Sequence, residues 1–351
     1  MILLIADYAG IEPTPRYLLE RIQAMGGDAC IVDTVALYSG AAHLALHWEK
    51  NGDLSGGLTV NGRQIPWQEV RAALIWRPWF GQFTGSGRGD MDKESLKFML
   101  REWRKFYNGL TLMLSQAGPF CVNPAPVNTA CEEKIWQLEL ARRTGFRIPD
   151  TLMTTNLADA RSFFAEHGGE IIYKTFSMAA VKLDKGEPGE EKLGLIYTSR
   201  VKPEQLADHG NMAVTPMLFQ ALVPKQFEVR ATYVEGQIFA ASIDATASPT
   251  GSLDWRHYDQ PNTRYAPIEL PPEVAEKLIT LHRTLGLHYG ATDLIVTPEG
   301  EYVYLETNPN GMYLWVEQAT GLPITQALAE LLLAADEGRV RKDEYDAFRR
   351  R

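Results

Sequence analysis

A hairpin-like segment near the C-terminus constrains the fold more than any other part of the chain. Residues 291–296 and 302–306 are rich in β-branched and aromatic side chains, and residues 297–300 (Thr-Pro-Glu-Gly) between them are typical of a tight turn. If the turn closes on its two central residues, Leu294 lies opposite Val303. The segment therefore predicts two antiparallel strands with an apolar face and a polar face.

The polar face of this predicted ribbon carries three side chains that suit a hard cation. The register places Leu294, Val296, Val303 and Leu305 on the apolar face, and Asp293, Tyr304, Glu306 and Asn308 on the polar face. Two carboxylates and an amide suit Mg²⁺, which takes its remaining ligands from water or phosphate oxygens. A surface hairpin with a solvated polar face would show the same pattern, so both interpretations stay open at this point.

The rest of the chain predicts a mixed α/β protein of three parts. Strands at 2–6 and 29–32 around a helix at 14–25 predict a βαβ beginning, followed by a strand at 72–76, a helix at 93–115 and a strand at 120–122. A helix at 129–144, a helix at 159–167 and a strand at 170–174 come next, and then a strand-rich region. The predicted divisions are residues 1–125, 126–215 and 216–335, with a charged tail at 336–351.

Composition narrows the classes of partner and the compartment. The net charge of −9 provides no excess of positive charge for binding nucleic acid. The chain also has no apolar run long enough for a membrane span. Its three cysteines form no C-x-x-C pair, which argues against a disulfide framework. We therefore expect a cytoplasmic protein that acts on a small molecule or a peptide.

The three oxygen-bearing residues also carry a family resemblance. Asp293, Glu306 and Asn308 follow one another at intervals of thirteen and two positions, which resembles the metal-binding signature of ATP-grasp enzymes. Lys134 and Lys174 resemble the two lysines that in this family reach the phosphates from opposite sides. The resemblance implies an α/β (α+β) ATP-grasp fold with a Rossmann-like N-terminal domain, a central α/β domain and a C-terminal antiparallel-sheet domain.

The same resemblance implies a nucleotide site. Gln220, Ala221 and Val223 match the hinge that binds the adenine edge, although many relatives have an acidic residue where Ala221 stands. Glu228 matches the ribose position, and Arg230 matches an arginine that lies on the transferring phosphoryl group. The implied cofactors are ATP and two Mg²⁺ ions, and Lys134, Lys174 and Asn308 are further implied nucleotide contacts.

Within the superfamily, the chain most resembles the graspetide or microviridin-type maturases, which cross-link side chains of a ribosomal precursor peptide. The stretches that carry this resemblance are 74–78 (Leu-Ile-Trp-Arg-Pro), 219–230, 240–244, 254–256 (Asp-Trp-Arg) and 301–311. The resemblance implies that a leader peptide docks around the hairpin bearing Asp254 and Arg256 and a helix at 203–209. It also suggests Arg77 as a substrate-carboxylate contact and allows a homodimer.

Two other functions fit part of the pattern. A ligase for free amino acids or small peptides would share every nucleotide residue, and a regulatory protein that binds nucleotide without turnover would share the fold. The intact set of Asp293, Glu306 and Asn308 argues against the second.

Weaker motifs receive ordinary structural interpretations. Residues 85–89 (Gly-Ser-Gly-Arg-Gly) lack the G-K-[ST] of a phosphate loop, and His43 and His47, which could share a helix face, have no third ligand nearby. The charged stretch 182–192 is either a surface loop or, as in ATP-grasp folds, a lid over the phosphates.

Overall fold

The computed structural model of the chain describes residues 1–6, 12–76, 92–177, 180–183, 192–195, 198–207, 215–248, 253 and 262–340. Arg77, Asp254, Arg256, the Gly-rich residues 85–89 and most of the charged stretch 182–192 lie outside the described residues. Within the described ranges, no helix combines the length and the apolar character that crossing a bilayer requires.

The elements follow one another in three groups. The first comprises β1 (Ile2–Ala6), α1 (Thr14–Ala24), β2 (Ala29–Asp33), α2 (Thr34–Ser39), β3 (Ala42–Trp48), β4 (Leu54–Val60), β5 (Arg63–Pro66), β6 (Ala72–Trp76), α3 (Lys93–Ala117) and β7 (Phe120–Val122). The second comprises α4 (Ala125–Cys131), α5 (Lys134–Arg143), β8 (Thr151–Thr154), α6 (Leu157–Glu166), β9 (Ile171–Lys174), β10 (Ala180–Leu183), β11 (Lys192–Leu195) and β12 (Ser199–Arg200). The third comprises β13 (Met217–Ala221), β14 (Phe227–Val234), β15 (Gln237–Asp244), β16 (Arg264–Ile268), α7 (Pro272–Leu285), β17 (Tyr289–Val296), β18 (Tyr302–Asn308), α8 (Leu314–Thr320) and α9 (Ile324–Asp336).

The first sheet is parallel in the order β2-β1-β6-β7 and is covered on both faces. Ile2 and Leu4 pack in one apolar cluster with α1 and α9, whereas Leu3 and Ile5 pack in another with α3. Burial on both faces explains why β1 is an uninterrupted apolar run, and the predicted βαβ beginning is confirmed. The last helix, α9, thus completes the core of the first sheet.

A small antiparallel sheet, β3-β4-β5, follows α2. The interpretation of His43 and His47 as neighbours on a helix face is wrong, because both lie on β3. Their side chains are exposed on the strand. Alternation of exposed and half-buried residues along β3 gives the period of two that a half-covered strand requires.

The predicted single helix at 129–144 is also corrected. The structure ends α4 at Cys131 and starts α5 at Lys134, with Glu133 in an extended conformation between them. The break places Lys134 at the first position of a helix rather than one turn inside it. The predicted helix at 203–209 is a short 3₁₀ turn over residues 203–206, and residues 208 and 209 lie outside the described part of the chain.

The remaining strands form the two-stranded antiparallel sheet β10-β11 and two further antiparallel sheets, in the orders β12-β9-β13-β8 and β16-β15-β14-β17-β18. Helices α5 and α7 pack on one face of the larger sheet through an apolar cluster that includes Val229, Leu278 and Leu294. Since side chains alternate along a strand, Glu228 and Arg230 on either side of Val229 face the other way. That second face points toward the four-stranded sheet β12-β9-β13-β8.

The ribbon of β17 and β18 has a register that differs from the predicted one. Gly300 adopts a positive φ of 85° and extends the turn by one residue, so Leu294 pairs with Tyr304 and not with Val303. A second irregularity after Asp293 places Asp293 opposite Glu306, whereas the predicted register would have placed it opposite Tyr304. Tyr304 therefore belongs to the core face, while the predicted convergence of the oxygen-bearing residues is retained.

His282 gives the fold a measurable pH dependence. It is fully buried on α7, where Nδ1 donates to the Leu278 carbonyl 2.8 Å away and its ring stacks on Tyr233. Burial lowers the pKa of His282 to about 4, so it is neutral when folded and binds a proton more readily when unfolded. We expect the free energy of unfolding to fall by about 3 kcal/mol as pH drops from about 6.5 to about 4. His282→Gln should lack that part of the decline in urea unfolding at several pH values, and an unchanged decline would exclude His282 as its source.

Candidate active site

A cleft of about 540 Å³ lies between the two antiparallel sheets. The strand β13 and the loop after it form one wall, and β14, β17 and β18 form the other. Its lining residues include most of those predicted from the sequence: Lys174, Gln220, Ala221, Val223, Glu228, Asp293 and Glu306. The structure thus brings together side chains that are separated by more than 130 positions in the sequence.

Three charged side chains stand in a row across neighbouring strands of the larger sheet. Arg230 pairs with Asp293 between β14 and β17, and Asp293 pairs with Glu306 between β17 and β18. Asn308 is next on the same face, with Nδ2 at 3.5 Å from Asp293 Oδ2 and 3.5 Å from Glu306 Oε1. An Asp-Glu-Asn set on one rigid surface is a donor set suited to Mg²⁺.

Arg230 and Asp293 form a buried bidentate ion pair. Nη1 of Arg230 lies 2.9 Å from both carboxylate oxygens, and the two side chains are only 6% and 9% exposed. Burial by itself opposes the guanidinium charge, but the nearby Asp293 carboxylate outweighs it and raises the pKa of Arg230. Arg230 Nε is buried without a hydrogen-bond partner among the described residues. The site therefore keeps a permanent positive charge beside its acidic residues.

The two predicted lysines approach from different elements. Lys134, at the start of α5, donates from Nζ to the Thr175 carbonyl at 2.7 Å and lies 4.0 Å from Glu306 Oε2. Lys174 is the last residue of β9 and lines the cleft. The hydrogen bond from Lys134 to residue 175 also connects α5 to the end of β9. It therefore holds Lys134 next to the strand end that carries Lys174.

The predicted hinge lies at the end of β13. Gln220 is buried, its Nε2 donates to Thr151 Oγ1 at 3.1 Å, and its Oε1 has no hydrogen-bond partner among the described residues. The amide of Ala221 donates to the Asp150 carbonyl, so this amide is already used within the protein. A buried, unpaired carboxamide oxygen that lines a cleft is costly unless a ligand satisfies it.

Several residues that line the cleft were not predicted from the sequence, and Lys225 is one of them. Lys225 forms an ion pair with Glu228, the predicted ribose carboxylate, and its Nζ lies 3.2 Å from the Leu253 carbonyl. Both side chains are almost buried. A lysine in the loop before β14 has no distinctive spacing, so only the fold shows that it meets Glu228.

Gly311 is required by close packing behind the ion pair. A Cβ atom built on Gly311 would lie 2.5 Å from Arg230 Nη2 and 2.6 Å from the Ala291 Cβ. No side chain fits at these distances without moving the guanidinium or β17. The Asn-Pro-Asn-Gly turn of residues 308–311 thus ends in the one residue that lets it approach Arg230.

Within the described residues, no group of three or more His, Cys, Asp or Glu side chains is arranged to hold a metal. The set formed by Asp293, Glu306 and Asn308 has only two carboxylates. Such a set fits a cation that takes its other ligands from a bound phosphate or from water, and it does not fit a structural site closed by protein alone.

Comparison with known proteins identifies the fold. No family model and no curated protein matches the chain. Among solved structures, the macrocyclase MdnC from Microcystis aeruginosa, bound with the precursor peptide MdnA, is 30% identical with a TM-score of 0.82, and the match covers 95% of this chain and 100% of that one. A RiPP-associated ATP-grasp ligase from Chryseobacterium gregarium, in complex with ADP and a leader and core peptide, is 23% identical with a TM-score of 0.83, covering 95% and 96%.

A third structure is the ATP-grasp ligase PsnB complexed with a minimal precursor, Mg and ADP, which is 20% identical with a TM-score of 0.72 over 95% of this chain and 97% of that one. The match to MdnC spans that entire chain at a level of identity that shows common family, and the α/β ATP-grasp architecture agrees with all three structures. The chain belongs to the family of RiPP-associated ATP-grasp ligases and macrocyclases.

Proposed function

We propose that this protein uses ATP to activate Asp or Glu side-chain carboxylates of a ribosomal precursor peptide and couples them to Ser or Thr hydroxyls or Lys amines of the same peptide. The observation that carries the proposal is the row of Arg230, Asp293 and Glu306, whose two carboxylates line a cleft that Lys174 also lines. Such a row combines cation ligands with a fixed positive charge, as phosphoryl transfer requires.

Each part of the cleft receives a role in this proposal. Asp293, Glu306 and Asn308 hold magnesium, which when bound neutralises charge on the phosphates. Gln220, with its unpaired buried oxygen, and the backbone at residues 221 and 223 bind the adenine edge, and Glu228 binds the ribose after it releases Lys225. The carboxylates of Asp293 and Glu306, together with the phosphates of ATP, could provide ligands for two magnesium ions. We propose that two ions bind.

The chemistry proceeds in two balanced steps. A carboxylate oxygen of the peptide attacks the γ-phosphorus, the bond to the bridging oxygen breaks, and ADP leaves. Arg230, Lys134 and Lys174 stabilise the charge that builds up on the transferring group. A hydroxyl or amine then attacks the acyl carbon, phosphate leaves with the electron pair of the carbon–oxygen bond, and the nucleophile loses its proton.

The peptide partner and the setting are further parts of the proposal. MdnC and the Chryseobacterium ligase were both solved with peptides, which favours a precursor peptide with a leader over a free amino acid. Arg77, Asp254 and Arg256 remain proposed substrate contacts, and a homodimer remains the proposed assembly. Cys30, Cys121 and Cys131 form no disulfide, which suits a reducing cytoplasm.

Incubation with a precursor peptide encoded beside this protein, ATP and magnesium tests the proposal by mass spectrometry. We expect each cross-link to remove the mass of one water molecule from the peptide and to release one ADP. A precursor whose Asp and Glu residues are all replaced by Asn and Gln should stay unmodified. Rapid ADP release with free amino acids and none with the peptide would favour the small-substrate ligase instead.

A further inference from the structure

The buried side-chain amides of Gln137 and Asn123 hydrogen-bond to the backbone on both sides of Asn308. Gln137, on α5, is 4% exposed, and its Oε1 accepts from the Thr307 amide at 2.9 Å and from the Tyr304 hydroxyl at 3.1 Å. Its Nε2 donates to the Thr307 carbonyl at 2.8 Å and to the Cys131 carbonyl. Both backbone groups of the residue before Asn308 are therefore held by one side chain.

The strand needs this contact because of its position in the sheet. β18 is an edge strand among the described residues, so apart from the bridge between Val303 and Arg147 its backbone groups that point away from β17 face no neighbouring strand there. The amide and carbonyl of Thr307 lie close to the irregularity in register between β17 and β18. The hydrogen bonds between the two strands are disrupted at that irregularity and constrain β18 less there. Gln137 supplies the donor and the acceptor that a further strand would have supplied.

Asn123 performs the same task on the other side. It is 1% exposed, and its Nδ2 donates to the carbonyls of Tyr289 at 2.8 Å and Pro309 at 2.9 Å. Its Oδ1 accepts from the amides of His288 at 2.8 Å and Tyr289 at 3.0 Å. One side chain thus connects the start of β17 to the residue directly after Asn308.

We infer that Gln137 and Asn123 are positioning residues of the metal site, which fix Asn308 and Glu306 relative to Asp293. The inference rests on the proposed function. Within the described part of the chain, neither side chain hydrogen-bonds to the cleft face of the ribbon; each acts through backbone that flanks Asn308. Gln137 has a second effect, since it lies one turn after Lys134 on α5 and so relates that lysine to β18.

The hydrogen-bond partners of Gln137 and Asn123 favour a positioning role over a purely structural role in the core. Both carboxamides use donor or acceptor atoms on backbone groups directly before and after Asn308, at Thr307 and at Pro309, and residues 306–309 contain two of the proposed ligands. Partners that orient ligands in this indirect way typically change metal affinity by about 10–100-fold when they are removed. The expected signature is therefore a loss of metal affinity and not only a loss of stability.

Calorimetric ADP titration with and without Mn²⁺ tests the inference, without peptide and without turnover. For the wild-type chain we expect Mn²⁺ to tighten ADP binding. In Gln137→Met and Asn123→Ser, which leave the net charge unchanged, this gain should fall by about tenfold or more, while ADP affinity in EDTA is unchanged. Thermal unfolding establishes that each variant is folded. Should Gln137→Met not fold, the result for Asn123→Ser tests the inference.

Trp67→Phe is the matched control, because it removes a buried side-chain hydrogen bond to the Ala45 carbonyl in the cluster around the first sheet. It should lower stability and keep the full gain from Mn²⁺. A full gain in folded Gln137→Met and Asn123→Ser would overturn the positioning role and leave the proposed function standing. A wild-type chain with no gain would overturn the proposed metal site, and with it this inference.

Discussion

Glu306→Gln is expected to lower the rate of ADP release at ordinary magnesium by at least about 100-fold while leaving the fold intact. The substitution keeps the size of the side chain and removes one of the two negative charges of the proposed ligand set. Glu306 is paired with Asp293 across the strands and lies 4.0 Å from the Lys134 ammonium, so its charge serves both the cation and the lysine. Steady-state ADP release measured against magnesium concentration should show a weaker apparent affinity for the ion.

Glu301→Gln provides the matched control for this prediction. Glu301 lies on the same ribbon, but its side chain is 56% exposed and pairs with Arg147 at the surface. Its loss should leave both the rate and the magnesium dependence unchanged, because exposed pairs contribute little. Turnover of Glu306→Gln at the wild-type rate would count against the metal assignment.

Arg230→Ala is expected to lower the rate of product formation by about 1000-fold with ADP affinity largely preserved. The guanidinium is held by two bonds of 2.9 Å to Asp293, which fixes its orientation before substrate binds. Its main effect should therefore be on kcat, since charge on the transferring group is greatest in the transition state. Single-turnover kinetics and calorimetric ADP binding measure the two quantities separately.

The same variant should be less stable, because it leaves the Asp293 carboxylate nearly buried without its cation. Magnesium and ADP should restore part of that stability if Asp293 is a metal ligand, which thermal unfolding with and without both would reveal. Arg147→Ala, at an exposed pair, is the control. A decrease in kcat of less than tenfold in folded Arg230→Ala would exclude the transition-state role.

The prediction that Asp293, Glu306 and Asn308 share a face of the ribbon is confirmed, but it rested on a register that is wrong and that also placed Tyr304 on that face. Strict alternation from a two-residue turn placed Leu294 opposite Val303, whereas the extra residue at Gly300 and the irregularity after Asp293 changed the pairing. The oxygen-bearing residues still converge because the two shifts leave them on one face. Alternation indicates which residues share a face, but only the backbone conformation of the turn sets the register.

Other features left no local signal. The break before Lys134 falls at two glutamates that are compatible with a helix, and the Cys131 carbonyl at the end of α4 accepts a hydrogen bond from the Gln137 side chain of the next helix. Residues such as Gln137 and Asn123 bind backbone, and backbone carries no side-chain pattern. A carboxamide with such a role cannot be told from any other buried Gln or Asn until the chain is folded.

The packing of α9 on the first sheet has a consequence for biosynthesis. Leu328 and Leu332 share a cluster with Ile2 and Leu4, so residues at opposite ends of the described chain complete one core. A ribosome that adds about 5–20 residues per second needs roughly 15–60 s to make the intervening stretch. During that time the apolar face of the nascent sheet is uncovered, and chaperones that shield it should raise the yield of active protein.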